Sequence, residues 1–213
     1  MVTRRENDVT RSDRKPFSFM GRLKEIGVFF QKRSPQHQAM RRLARRLKKA
    51  GIPYAIMGAM AVNAHGAERT TKDIDVLLTP EGFERFRKEF VGDAYDPVEG
   101  RPRRFVERQS GVMVDCLITG RYPGTGQPGP IAFPDPAEAG QDIEKVRVLS
   151  LPQLVQLKLA ARRHYDFGDV VFLIRVHKLD ESFLRQLHPS LHQDFIECLE
   201  EKRREDEYLA REG

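Results

Sequence analysis

Apolar residues fall at steps of three and four after Ser34-Pro35: Met40, Leu43, Ala44 and Leu47 make one helical stripe, and Gly51 stands where that helix would close. A shorter rhythm follows. Residues 54–57 are continuously apolar and residues 73–78 alternate before turning wholly apolar, so both read as strands. Between them residues 59–65 read as a short helix behind a turn at Gly58-Ala59. Pro80 opens a helix to about Val91. Residues 103–107 and 112–118 read as two further strands around a Ser110-Gly111 turn, the second lying beside the 73–78 strand in the sheet. Residues 119–136, TGRYPGTGQPGPIAFPDP, are too rich in Gly and Pro for regular structure, and a loop of that length is usually functional or mobile. Residues 145–149 predict a strand, and Ser150 predicts the cap of a helix reaching about Arg163. The β-branched run over residues 170–176 suits a helix or a strand. Residues 191–209 return to helical spacing. Residues 17–30 are apolar without a clean period and read as a short docking helix.

Length and composition narrow the setting. The 213 residues fit one domain, or one domain with an appended helical part. No apolar run approaches the roughly 20 residues of a membrane span. The charged start argues against a secretory signal. Cys116 and Cys198 lie far apart and fit no metal spacing, so a reduced, cytoplasmic setting is expected. The net charge of +6 hides an asymmetry: residues 1–50 hold 15 Lys/Arg and 4 Asp/Glu, and residues 51–213 hold 22 and 27. The basic segment reads either as a solvated arm and helix face or as a surface that attracts the phosphates of a nucleic acid. No aromatic residue interrupts MRRLARRLKK, so base stacking is not expected there.

Candidate chemistry concentrates in YAIMGAMAVNAHGAERTTKDIDVLLT. On a strand, Asp73 and Asp75 share one face. They are either solvated acids at a strand edge or a pair that repels until a cation sits between them. A third carboxylate, Asp115, interrupts the apolar run of another strand, where an unpaired charge is costly. Three carboxylates converging on two divalent ions would make a phosphoryl-transfer centre. Gly58 could let a phosphate approach the backbone at the start of the following helix, or simply make a turn. Lys158 falls near the middle of the apolar face of the 150–163 helix. It either snorkels or directs its amine at the carboxylates or a triphosphate. Arg69, four residues before Asp73, is a phosphate ligand or an ordinary surface arginine. Thr70 and Thr71 are turn formers or hydroxyl ligands. His65 reads as a packing histidine, and Asp166 and Asp169 as caps of the next helix or, less readily, as substrate contacts. Arg121 and Tyr122 are the contacts of a 119–136 loop that covers the site. The sequence has no Gly-x-Ser-x-Gly, Walker loop or zinc spacing.

Gly58-Ala59, HGAERTTKDIDVLL, VMVDCLI and LSLPQLVQLKLAARRHYDFGDV together resemble the polymerase-beta-like nucleotidyltransferase superfamily over about residues 36–176. Within it, the chain looks like the minimal bacterial nucleotidyltransferases related to the toxins of type IV abortive-infection systems. The resemblance implies an α+β nucleotidyltransferase fold, a small mixed β-sheet flanked by helices with a helical C-terminal region. The chain is expected to divide into a basic, partly flexible segment (1–35), a nucleotidyltransferase core (36–150) and a helical region completing the site (151–213). The resemblance implies Mg²⁺, two ions, held by Asp73, Asp75 and Asp115, with Asp115 also taking the proton of an acceptor hydroxyl. It implies a nucleoside triphosphate such as ATP cradled at Gly58 and Ala59 and contacted by Arg69 and Lys158. The turn departs from the family's usual Gly-Gly or Gly-Ser, since Ala59 offers no hydroxyl. The implied acceptor is tRNA or another RNA, with an antitoxin as protein partner. The alternatives are a small antibiotic-type acceptor, or a nucleotide- or RNA-binding relative without catalysis.

Overall fold

The stripe after Ser34 is a helix, α1 (Pro35–Lys49), in the computed structural model of the protein, which describes residues 34–67 and 69–212. The docking helix expected over residues 17–30 lies outside the described residues. The Ser34 hydroxyl accepts the His37 N–H at 3.3 Å, and Pro35 sits in the first turn, where a missing N–H costs nothing. Gly51, at φ +63°, then turns the chain.

The following elements are β1 (Tyr54–Met57), α2 (Gly58–Ala64), β2 (Asp73–Leu78), α3 (Pro80–Phe90), β3 (Tyr95–Val98), β4 (Arg101–Glu107) and β5 (Met113–Ile118). A long irregular segment leads to α4 (Pro136–Ala139), β6 (Gly140–Ile143) and β7 (Val146–Leu149). The chain ends in α5 (Leu151–Ala161), α6 (His164–His177), two 3₁₀ segments (Glu181–Gln186 and Pro189–Leu191) and α7 (His192–Glu212). No helix among the described residues is long and apolar enough to cross a membrane.

The seven strands form one mixed sheet in the order β3-β4-β5-β2-β1-β7-β6, so the fold is α+β, as expected. β2 pairs parallel to β5 and β1 parallel to β7; the other pairs are antiparallel. Sequence patterning anticipated neither β3 (YDPV) nor β6 (GQDI). Both are edge strands, free of the alternation that central strands need, and an edge tolerates Pro97. The ambiguous 170–176 run is helical. Val170, Val171, Leu173 and Ile174 are buried at helical spacing, so packing overrides β propensity. Ile56, Ile74, Leu77, Leu78 and Val114 are fully buried at the sheet centre. Phe86 packs its ring 5.1 Å from Tyr95 and 5.2 Å from Phe105. Cys116 and Cys198 are buried and unbonded, and burial pushes both thiols up, Cys198 to about 12.

Candidate active site

Strand register places the acids. Met57 lies opposite Asp75, Asp75 opposite Asp115, and Asp115 opposite Arg104, so one row crosses β1, β2, β5 and β4. Cross-strand partners share a face of the sheet, and Asp73, two residues before Asp75, shares it too. Both acids are half-buried, while Ile74 and Val76 face the core.

β1 passes into α2 with no residue between, at Gly58. Its φ is +61°, and a Cβ built there would lie 1.9 Å from Asp75 Oδ2. The space left by the missing side chain is therefore filled by the Asp75 carboxylate. Gly58→Ala is expected to displace that carboxylate and to add about 1–2 kcal/mol of backbone strain. Thermal unfolding with and without Mg²⁺ checks this. A variant with wild-type melting and wild-type response to the ion would show that the contact is dispensable.

Burial, then the charges of Asp73 and Asp115, push the Asp75 carboxyl up to about 6, against the weaker opposing pull of Lys158 and Arg163. The Thr71 hydroxyl donates to Asp73 Oδ1 at 2.7 Å, so Thr71 orients this acid. Arg104 grips Asp115 through both oxygens, Nε to Oδ1 at 2.6 Å and Nη2 to Oδ2 at 2.5 Å. Among the described residues no group of three or more His, Cys, Asp or Glu side chains is gathered around one point as a metal cage. The donors nevertheless fit a hard divalent cation. They are carboxylate oxygens whose mutual repulsion a cation would relieve, and Mg²⁺ is commonly held by one or two carboxylates with water completing its shell.

Lys158 does not snorkel. It is 6% exposed among Leu154, Val155, Leu157 and Leu159, and Nζ donates to Asp166 Oδ1 at 2.7 Å and to Asp169 Oδ2 at 2.6 Å. Asp166 also accepts from Arg163 Nε at 2.6 Å, and Asp169 from the Arg69 guanidinium. The capping role expected of Asp166 and Asp169 is therefore corrected. The N-cap of α6 is Arg163, and both acids instead serve as counter-ions to a buried lysine. Ser150 occupies the N-cap position of α5, but its side chain makes no capping bond. Arg69 is clamped by Asn63, whose side chain bonds both its N–H (2.7 Å) and its carbonyl (2.6 Å). His65 is buried, as expected, with Nε2 donating to the Leu149 carbonyl at 2.8 Å.

Part of this set lines a cavity of about 670 Å³, within the range of small-molecule sites. Gly58, Asp75, Asp115 and Lys158 line it; Ala59, Arg69 and Asp73 do not. The 119–136 loop contributes Arg121, Tyr122 and Gly124. Gly124, at φ +66°, lies so close to the end of α5 that a Cβ would stand 2.7 Å from the Ala161 carbonyl oxygen. The loop thus reaches over the cavity onto α5.

No family model matches the sequence, and no curated protein is similar to it. The structure is similar to an antigenic nucleotidyltransferase-like protein from Paracoccidioides brasiliensis, at 16% identity and a TM-score of 0.42, over 65% of this chain and 75% of that one. It is similar to a nucleotidyltransferase candidate from Thermotoga maritima, at 21% and 0.38, over 70% and 89%. It is also similar to ANT(2")-Ia in complex with adenylyl-2"-tobramycin, at 16% and 0.37, over 66% and 91%. At these identities the likeness concerns fold alone.

Sequence reading missed Arg104 and Arg163. Pairing the expected strand ends, residues 107 and 112, puts Arg104 opposite Asp115, so the first was within reach. Arg163 had no such signal, since the direction of its side chain depends on Asp166 one turn into the next helix.

Proposed function

We propose that the protein is a Mg²⁺-dependent nucleotidyltransferase that moves a nucleoside monophosphate from a triphosphate such as ATP to an acceptor hydroxyl. The observation that carries this is the pair Asp75–Asp115 lining a cavity rimmed by arginines, with Asp73 on the same face of the sheet. Asp73 and Asp75 would hold the metal, with Asp115 beside them. Bound there, the ion supplies charge neutralisation and in-line alignment of the phosphates. Asp115 accepts the acceptor's proton. The Arg104 fork uses one lone pair on each of its oxygens and leaves another on each.

Arg163 orients the triphosphate. Its side chain is 69% exposed, it lines the cavity, and Asp166 fixes its direction. In this reading Lys158 and Arg69 act at one remove, holding α6 and the loop before Asp73 together through Asp169. The exposed basic face of α1, with Arg41, Arg45, Lys48 and Lys49, supports an RNA acceptor such as tRNA; an antitoxin partner rests on the sequence resemblance alone.

The test is incubation of the full chain with each of four α-labelled nucleoside triphosphates, Mg²⁺ and cell extract. Labelled product that disappears on chelation is expected. No transfer from any of the four would overturn the reading.

A further inference from the structure

We infer that the cavity contains a second anion site, on the β4 side of Asp115, in which Arg101, Arg103 and Arg121 bind a phosphate of the acceptor. The inference rests on the nucleotidyl-transfer reading and names the acceptor class: a hydroxyl compound that carries phosphate.

The β4–β5 ladder stops at the pair Arg104 and Asp115. Before Arg104 on β4 come Arg103 and Arg101; beyond Asp115 on the other strand the chain runs to Ile118 and then Arg121. With no pairing between these stretches, the cavity opens there, and all three arginines line it. Across the sheet the order is Gly58, Asp75, Asp115, Arg104, so this mouth lies on the side of Asp115 away from Gly58. A hydroxyl giving its proton to Asp115 enters from this side, while the triphosphate occupies the side of Gly58 and Arg163.

Charge distinguishes the two sides. Arg104, Lys158 and Arg163 are each tied to a carboxylate. The side chains of Arg101, Arg103 and Arg121 are exposed and make no hydrogen bond or ion pair among the described residues. Six lysine and arginine residues line the cavity against three acidic ones, Asp75, Asp115 and Asp166. Yet residues 51–213 as a whole are acidic, with 27 Asp/Glu and 22 Lys/Arg. Positive charge is thus collected at this cavity against the trend of the surrounding chain. Guanidinium forks match phosphate oxygens two by two, and a cleft of one sign draws in ligands of the other. A polycationic acceptor would be repelled from this mouth. A phosphodiester backbone or a small sugar phosphate both supply the required group.

The test compares the full-length wild type with the triple variant Arg101→Gln/Arg103→Gln/Arg121→Gln. The probes are a mixed-sequence single-stranded RNA oligonucleotide and, separately, ribose 5-phosphate as binder and competitor. The variant is expected to bind the effective probe at least about tenfold more weakly. For RNA, the slope of log affinity against log salt should fall by about two, since each lost phosphate contact on a single strand removes roughly 0.7. Loss of RNA binding with this change of slope assigns a nucleic-acid acceptor; competition by ribose 5-phosphate without RNA binding assigns a small phosphate ester. Equal binding by variant and wild type, or binding of neither probe, overturns the inference. The melting temperature, expected unchanged in the variant, excludes misfolding. A wild type that binds no triphosphate would sink the nucleotidyl-transfer reading instead.

Discussion

Asp75→Asn is expected to lower nucleotidyl transfer by about 10³-fold or more while raising the melting temperature of the metal-free protein. On the proposed function, the loss of activity would follow from removing a metal ligand, since even outer partners of such ligands are worth 10- to 100-fold. The gain in stability follows from the site's own repulsion. Burial and the neighbouring Asp73 and Asp115 hold the Asp75 carboxyl near 6, against its ordinary 3.8. A carboxyl raised on folding is favourable to the fold while protonated in both states. That contribution is lost as pH rises from about 4 through 6. Above pH 7 the ionised group costs at most about 3 kcal/mol, which the amide removes. The metal-free wild type should therefore lose stability between pH 4 and 7 more steeply than the variant. Mg²⁺ should raise the melting temperature of the wild type and not that of Asp75→Asn, because a ligand stabilises only the state that binds it. A variant less stable than wild type, or equally raised by Mg²⁺, would make Asp75 a structural residue.

How far such a site is legible in sequence differs from residue to residue. Strand alternation placed Asp73 and Asp75 on one face, and a single acid in an apolar run singled out Asp115; both inferences needed only local periodicity. The turn at Gly58 was legible as well, but its cause was not. The approach of Asp75 Oδ2 to that glycine is a contact between β2 and the start of α2. The position of Lys158 on an apolar face was visible, and its partners were not. Asp166 and Asp169 follow eight and eleven residues later, beyond a chain reversal at Arg162, whose φ is +54°. No helical period spans that reversal. Their spacing of three residues marks one helix face, yet proximity to a helix start also favoured capping. The edge strands β3 and β6 escaped because an edge imposes too little pattern to recognise.

Lys158→Met is expected to cost about 3 kcal/mol or more of stability, the largest such effect of any single substitution in the site. The amine sits between two buried carboxylates, and removing one partner of a buried ionic cluster leaves charge without compensation. Arg163 and Arg69 still reach Asp166 and Asp169. Both arginines are partly or largely exposed, so the loss should lie toward the lower end of the usual range of about 3–5 kcal/mol. For a protein of this size that corresponds to roughly 6–12 °C in melting temperature. Lys158→Met combined with Asp166→Asn and Asp169→Asn should recover much of the loss, because neutral amides are far cheaper to bury than carboxylates. The family resemblance instead directs this lysine at the substrate's phosphates. On that account Lys158→Met would leave the melting temperature unchanged and raise KM for the triphosphate. Melting and KM measured on the same variants separate the two roles. A fall in melting temperature, restored by the two amides, requires a lysine whose main work is to join α5 to α6 beneath the carboxylates.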